Sequence, residues 1–450
     1  MTKAPDVDAL RAKVSGLMGE AKNDLAQLVS FRSVADPRQF PAEGCTWAAQ
    51  WVADAFTELG LTVGLHETPD GSQAVIGHRP GPPGSPTVLL YCHYDVQPPL
   101  DDQAWETPVW TLTEKDGRWY GRGAADCKGN IVTHLTALRA IGPDFPVGIK
   151  LVSEGSEEQG TGGLEKFVVA NPELLTADAI LVADCGNFAV GLPTFTQTLR
   201  GQVNVVVTVT TLAGPMHSGM FGGPAPDALA AMIQLLSSLR DEHGNTTIDG
   251  LTADQQWTGV QYPPKDFRAD AGVLDGVDLI GGGTVADMLW ARPALTVLGM
   301  DVPAVVGSSA AIQPSTRARL NLRIPPGTDP QHAYELLEKH LRAHTPWNAR
   351  LDIELEGLGE PFVAAEHGPA RDAMSEAMAT AYGRPATTEG QGGSIPLCNV
   401  FADTYPKAEI MLIGVEEPKC LIHAPNESVD PSEIEHMALA EALFLSTYGR

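Results

Sequence analysis

The sequence predicts an α/β protein in which one discontinuous domain is interrupted by an inserted α+β domain of split βαβ layout. Three observations predict it. Short apolar runs at residues 87–92, 147–152 and 179–183 read as buried strands, and each leads to a polar group: His93, the pair Glu157 and Glu158, and Asp184. Beyond Arg200 the pattern becomes strand, helix, two strands, helix and strand, which can close on itself as a small domain. A helical pattern at residues 368–382 then returns the chain to its first style. The expected division is 1–199 with 361–450 around an insert of 200–360. At 450 residues the chain exceeds one ordinary core and has room for two.

Taken in order, the N-terminal stretch to Ser30 carries Leu10, Val14, Leu17, Ala21, Leu25 and Leu28 at helical spacing among interleaved acids and bases. It predicts a helix rather than a signal peptide, which needs a continuous apolar core. Residues 46–59 predict a second helix stopped by Gly60, and residues 62–67 a strand. The proline- and glycine-rich segment 79–86 can be neither helix nor central strand. It feeds the strand 87–92, with His93 and Asp95 where an open α/β sheet binds its ligands. A glycine-punctuated loop, 117–130, carries Asp126 and runs into a helix at 131–141. The strand 147–152 delivers Glu154, Glu157 and Glu158 onto a tight loop. A helix at 163–170 and the strand 179–183, ending in Asp184, follow. The insert predicts strands at 202–210, 294–300, 315–324 and 351–358 and helices at 226–239 and 330–344. Its stretch 241–292 shows no readable motif. After the insert come the helix 368–382, strands near Val400 and at 409–413, a loop carrying His423 and a final helix from Pro431.

Composition narrows the partners. Lys and Arg total 30 against 56 Asp and Glu, a formal net charge of −26. So acidic a surface argues against nucleic acid and anionic membranes, where cations must meet phosphates. No run approaches the ~18 apolar residues of a membrane span, so a soluble, cytoplasmic protein is expected. The six cysteines lack paired spacing, and reduced thiols are expected.

Adjacent Glu157 and Glu158 repel each other, and their simplest stabiliser is a cation. An acidic surface turn is the plainer alternative for such a pair. His93, Asp126, Glu158, Asp184 and His423 offer imidazole and carboxylate without thiolate, a set that suits zinc, with manganese or cobalt as alternatives. Five ligands exceed what one catalytic zinc takes, so two ions sharing a bridging carboxylate fit better. Asp95, two positions after His93 in an extended segment, can accept the second imidazole N–H. Glu157 is then free to act as general base toward an ion-activated water.

The segments Tyr91-Cys92-His93-Tyr94-Asp95-Val96-Gln97-Pro98, Gly121-Arg122-Gly123 through Asp126-Cys127-Lys128-Gly129, and Glu154-Gly155-Ser156-Glu157-Glu158-Gln159-Gly160 recur in a known order. With His217-Ser218-Gly219-Met220-Phe221-Gly222-Gly223, Gly392-Gly393-Ser394-Ile395-Pro396 and His423-Ala424-Pro425-Asn426-Glu427, they resemble the M20 metallopeptidase family. The nearest branch is that of cytosolic dipeptidases related to carnosinase, and the motifs span nearly the whole chain. The resemblance implies a zinc-peptidase catalytic domain with a ferredoxin-like lid that forms a homodimer. It implies two Zn2+ per subunit, or Mn2+ or Co2+ in their place. Asp126 would bridge them, with His93 and Asp184 completing one site and Glu158 and His423 the other. Glu157 would be the base, Asp95 the orienting acid, and His217 would reach the partner subunit's site to stabilise an oxyanion. Arg323 would grip a substrate carboxylate, helped by the backbone amides of Gly392, Gly393 and Ser394. Because Arg317 and Arg319 alternate with it, a solvated basic face is the plainer reading of that strand. The implied activity is hydrolysis of dipeptides or short peptides. An N-acyl-amino-acid deacylase with the same chemistry, and a catalytically silent binding or assembly subunit, are the alternatives. Thr161, Ala424 and Pro215-Met216 depart from the family pattern without removing a ligand or the base.

Overall fold

The computed structural model describes residues 6–143 and 146–449, so Met1 to Pro5 of the expected N-terminal segment and Arg450 lie outside the described residues. The chain divides into two compact units. One comprises Met1–Gln197, Ala364–Glu389 and Pro396–Arg450, the other Thr198–Val363 and Gly390–Ile395.

In the first unit a mixed sheet runs in the order Thr62–Glu67, Gln73–Arg79, Gly148–Glu154, Thr87–His93, Ala179–Ala183, Glu409–Ile413, Thr194–Leu199. Its centre is parallel. Thr87–His93 lies between Gly148–Glu154 and Ala179–Ala183, with Leu90 level with Leu151 and Leu181. Glu409–Ile413 continues the parallel set, placing Ile413 opposite Ala183. Strands buried on both faces read as unbroken apolar runs, and Val88, Leu89, Leu90, Tyr91 and Cys92 are all fully buried. The helices Val7–Ser30, Lys128–Ile141, Pro369–Tyr382 and Pro431–Thr447 pack together in this unit. Val14, Ala21, Leu25 and Leu28 form the buried stripe of the first. Parallel strands finish on the same edge of a sheet, so the loops after His93, Glu154, Ala183 and Ile413 converge there.

The second unit holds four antiparallel strands in the order Ala294–Met300, Ser315–Ile324, Gly201–Thr210, Arg350–Gly359. Val203, Val205, Val207 and Val209 alternate inward and are fully buried. They meet Leu235 of the helix Ala228–Ser237 and Leu337 and Leu341 of Pro330–His344 in one core. Asp227 and Asp329 cap these helices, accepting N–H bonds from Leu229 and His332. The stretch 241–292 contributes the short helix Pro264–Asp270 and a π-helical turn, Asp287–Ala291. There the rings of Trp257 and Tyr262 both rest against Trp290.

The expected strand near Val400 is instead the helix Pro396–Thr404, and the strand of that region is Thr387–Gln391. The buried residues Leu397, Cys398 and Phe401 follow helical spacing, and Pro396 suits a first helical turn. The strands Gln73–Arg79 and Thr194–Leu199 are additions to the sequence reading. Among the described residues no helix is long and apolar enough to cross a membrane.

Candidate metal centre and active site

His93 ends its strand fully buried, with Nδ1 3.0 Å from the main-chain oxygen of Asp95 and 3.4 Å from Asp95 Oδ1. A carbonyl oxygen only accepts, so Nδ1 carries a proton, and when the ring is neutral its Nε2 presents a bare lone pair. That Nε2 lies 3.0 Å from Asp126 Oδ1 and 3.0 Å from Asp184 Oδ1. His423 Nε2 lies 2.9 Å from Asp126 Oδ2 and 3.1 Å from Glu158 Oε2. Two imidazole–carboxylate groups thus share Asp126, which gives one oxygen to each.

These lone pairs face one another and need a proton or a cation between them. Burial, then the charge of Asp126, pushes the Glu158 carboxyl up to about 7, and burial likewise raises Asp184. Burial followed by the field of Asp184 lifts Glu157 well above the ordinary carboxyl range. Nitrogen and oxygen donors crowded in this way fit divalent ions, and the same crowding is costly without them.

The surrounding chain fixes each donor. Glu157 and Glu158 sit in the turn Glu157–Gln159, and the buried Asp95 carboxylate accepts the N–H of both, at 3.2 and 3.1 Å. Asp95 therefore orients His93 chiefly through its main-chain oxygen while its side chain holds the turn. Gln97 binds both oxygens of Glu158, through its N–H at 3.1 Å and Nε2 at 2.8 Å. Glu427 accepts from Arg122 Nη1 at 2.7 Å and from the N–H groups of Gly123, Ala125 and Asp126 at 3.0 to 3.1 Å. It ties the loop of Asp126 to the loop of His423. The Asp126–Cys127 peptide is cis, and His423 adopts φ +60°. Asp70 collects bonds from Thr68, Ser72, Ser156 and Thr161, which hold its carboxyl low against the upward push of burial.

Residues of the second unit form a separate group. His217 is exposed in the short pairing of Met216–His217 with Ala311–Ile312, and its Nδ1 accepts the Gly219 N–H at 3.1 Å. Its Nε2–H is therefore free to donate. Arg323 lies opposite Gln202 across the sheet. Arg200, two residues before Gln202, falls on the same face, diagonal to Arg323. Arg200 Nε and Nη1 and Arg323 Nη1 are buried without a hydrogen-bond partner among the described residues. Arg200 also leans on the loop of Gly392, Gly393 and Ser394: a Cβ at Gly392 would lie 2.8 Å from its Nη2. Burial, then the charge of Arg323, pulls the Arg200 guanidinium down to about 10. A buried guanidinium and a half-buried one, each short of partners among the described residues, call for an anion.

The sequence reading missed Asp70, Arg200, Glu416 and Glu427. Glu416 follows the apolar strand Glu409–Ile413 much as Asp184 follows Ala179–Ala183, and an oxygen of it lies within 4.8 Å of donor atoms of Asp126 and Asp184. A second cluster, Asp249, His340 and His344, is a structural pin. Both ring nitrogens of His340 are engaged, Nδ1 by the Asp249 N–H at 3.1 Å and Nε2 by Ser238 Oγ at 3.0 Å.

Comparison with known proteins adds an independent line. The family described as Peptidase family M20/M25/M40 matches residues 89–447. A cysteinylglycine-S-conjugate dipeptidase of Corynebacterium striatum is 45% identical over 437 residues, 95% of each chain. The Beta-Ala-His dipeptidase of Homo sapiens is 27% identical over 432 residues, 87% of this chain and 83% of that one. Among solved structures, human carnosine dipeptidase 1 gives a TM-score of 0.83 at 23% identity over 99% of both chains. Dug1p of Saccharomyces cerevisiae gives 0.80 at 21% identity, over 99% of this chain and 98% of that one. At such identity these two likenesses concern the fold.

Proposed function

Because the chain belongs to the M20/M25/M40 peptidase family and is a metallopeptidase of its dipeptidase branch, we propose that it hydrolyses dipeptides or short peptides using two divalent ions, zinc foremost. The observation that carries this reading is Asp126, whose two oxygens face His93 at 3.0 Å and His423 at 2.9 Å. A carboxylate so placed is built to bridge. His93 and Asp184 would hold one ion with it, Glu158 and His423 the other. When bound, such ions lower the pKa of water and polarise the scissile carbonyl.

Glu157 accepts the proton of the attacking water and returns it to the leaving amine. Its raised affinity for a proton suits a group that must hold one between those two moments. Asp95 steadies Glu157 and Glu158 by accepting the backbone N–H of each. Arg323 and Arg200 bind the substrate carboxylate, assisted by the amides of Gly392, Gly393 and Ser394, since a fork of N–H donors pairs with a carboxylate at two points. His217, with Nε2–H free, donates to the developing oxyanion of the partner subunit's site. Exposed Met220, Phe221, Val305 and Val306 in its unit support a homodimer formed through that unit. The six free cysteines support a reducing, cytoplasmic setting.

The test is hydrolysis of unblocked dipeptides and of N-acyl amino acids, before and after exhaustive chelation and again after adding Zn2+ or Mn2+. Dipeptide cleavage that vanishes on chelation and returns with metal is expected. Turnover that survives complete metal removal, or a preference for N-acyl substrates, overturns the reading.

A further inference from the structure

We infer that Glu416 supplies a further carboxylate ligand to the metal position formed by His93, Asp126 and Asp184, an inference that rests on the two-ion reading above. The fold delivers Glu416 there by register. Ile413 pairs with Ala183 in the parallel sheet, so the chains leaving the two strands run side by side. They stay in contact: Gly186 bridges to Glu416, and the Asn187 N–H donates to the Glu416 main-chain oxygen at 2.7 Å. The approach is so close that a Cβ at Gly186 would lie 1.9 Å from that oxygen. Backbone contacts thus fix Glu416 beside Asp184.

Glu416 is only 6% exposed, and its Oε1 is buried with no hydrogen-bond partner among the described residues. An orphaned buried carboxyl oxygen costs stability unless something fills its vacant lone pairs. The close groups are carboxylates, Asp126 and Asp184, each with an oxygen within 4.8 Å of one of its own. A divalent ion at that position resolves all three carboxylates at once.

The consequence is a difference between the two positions. With Glu416, one offers a single imidazole nitrogen and three carboxylates, whereas the other offers an imidazole with Asp126 and Glu158. The more oxygen-rich set is the harder one and favours Mn2+ relative to Zn2+ more than its neighbour does.

The experiment uses the full chain, stripped with chelator and titrated with Mn2+ alone, free Mn2+ being followed by electron paramagnetic resonance. The wild type is expected to bind two equivalents. Glu416→Gln, nearly isosteric, is expected to weaken one of them by about tenfold or more, the scale at which metal surroundings act, and to shift that position toward Zn2+ in competition. Glu416→Asp keeps the charge but withdraws the oxygen, and is expected to weaken the same equivalent; its titration decides if the Gln variant does not fold by circular dichroism. Wild-type affinity at both positions in a folded variant overturns the assignment. A wild type that binds fewer than two equivalents overturns the two-ion reading itself, before any variant is compared.

Discussion

Glu157 and Glu158 are chemical twins one residue apart, and their environments differ. Gln97 and His423 engage the Glu158 carboxylate, while Glu157 is tuned by burial and by Asp184. Glu157→Gln is therefore expected to lower turnover by ~100-fold or more, the scale of general acid–base assistance, while bound metal stays at the wild-type level. Metal analysis beside steady-state kinetics checks it, and near-normal turnover would move the base elsewhere. A second prediction concerns His340, which burial, then the charge of His344, holds below the ordinary imidazole value of 6.5. The unfolded chain then takes up this proton before the folded one does. The stability His340 permits is complete above about 6.5 and declines as pH falls below it. Urea midpoints of wild type and His340→Gln between pH 7.5 and 5.5 should draw together or cross as pH falls, and a constant gap would refute it. At this scale the five side chains singled out in the sequence are ones the structure brings together. His93, Asp126, Glu158, Asp184 and His423 could all be named because imidazole and carboxylate side chains in or after apolar strands and glycine-rich loops are conspicuous. Glu416 follows the same rule after residues 409–413, but nothing local in the sequence separates it, beside Glu417, from a solvated acidic pair. Arg200 escaped because nothing in a sequence distinguishes a paired arginine from an unpaired one.

Elements were legible where they were buried and long. The parallel strands and the helices Pro330–His344 and Pro431–Thr447 needed only periodicity and terminal signals. Val400 misled because a short apolar segment suits either period; tertiary packing of Leu397 and Phe401 decided for helix. Gln73–Arg79 was hidden by its small and polar residues, yet it pairs along Gly148–Glu154 and so supports the strand that carries the acids. The turn after that strand depends on a missing side chain. A Cβ at Gly155 would come within 2.1 Å of the Tyr94 hydroxyl oxygen, and Tyr94 is pinned by its bond to Gln73 O at 2.6 Å. Gly155→Ala is expected to cost ~1–3 kcal/mol, the usual penalty of overpacking. It should also lower metal affinity, because the displaced turn carries Glu157 and Glu158. Calorimetric melting together with metal titration checks both, and unchanged metal affinity would show that the turn absorbs the clash without moving its acids.

At the scale of the whole molecule, the second unit begins at Thr198, and residues 390–395 join it across a long gap in sequence. No local signal marks such a return. The proposed donation of His217 across a dimer makes a prediction that belongs to the assembly. His217→Ala and Glu157→Ala, each weakly active alone, should regain activity on mixing, up to about a quarter of wild type for random pairing, because one site in a mixed dimer then has both groups. Mixed dimers verified by mass that remain inactive would sink the shared site.

The place of Glu409–Ile413 within the sheet, between Ala179–Ala183 and Thr194–Leu199, has a consequence for synthesis. A ribosome makes the chain from its N-terminus, so the earlier strands emerge with a gap that only a segment beginning at residue 409 of 450 can fill. Until then Ala179–Ala183 offers an open, apolar border. The sheet can therefore close only after the intervening unit has been translated. The same late segment brings His423, so the proposed ligand set is incomplete until it has been made.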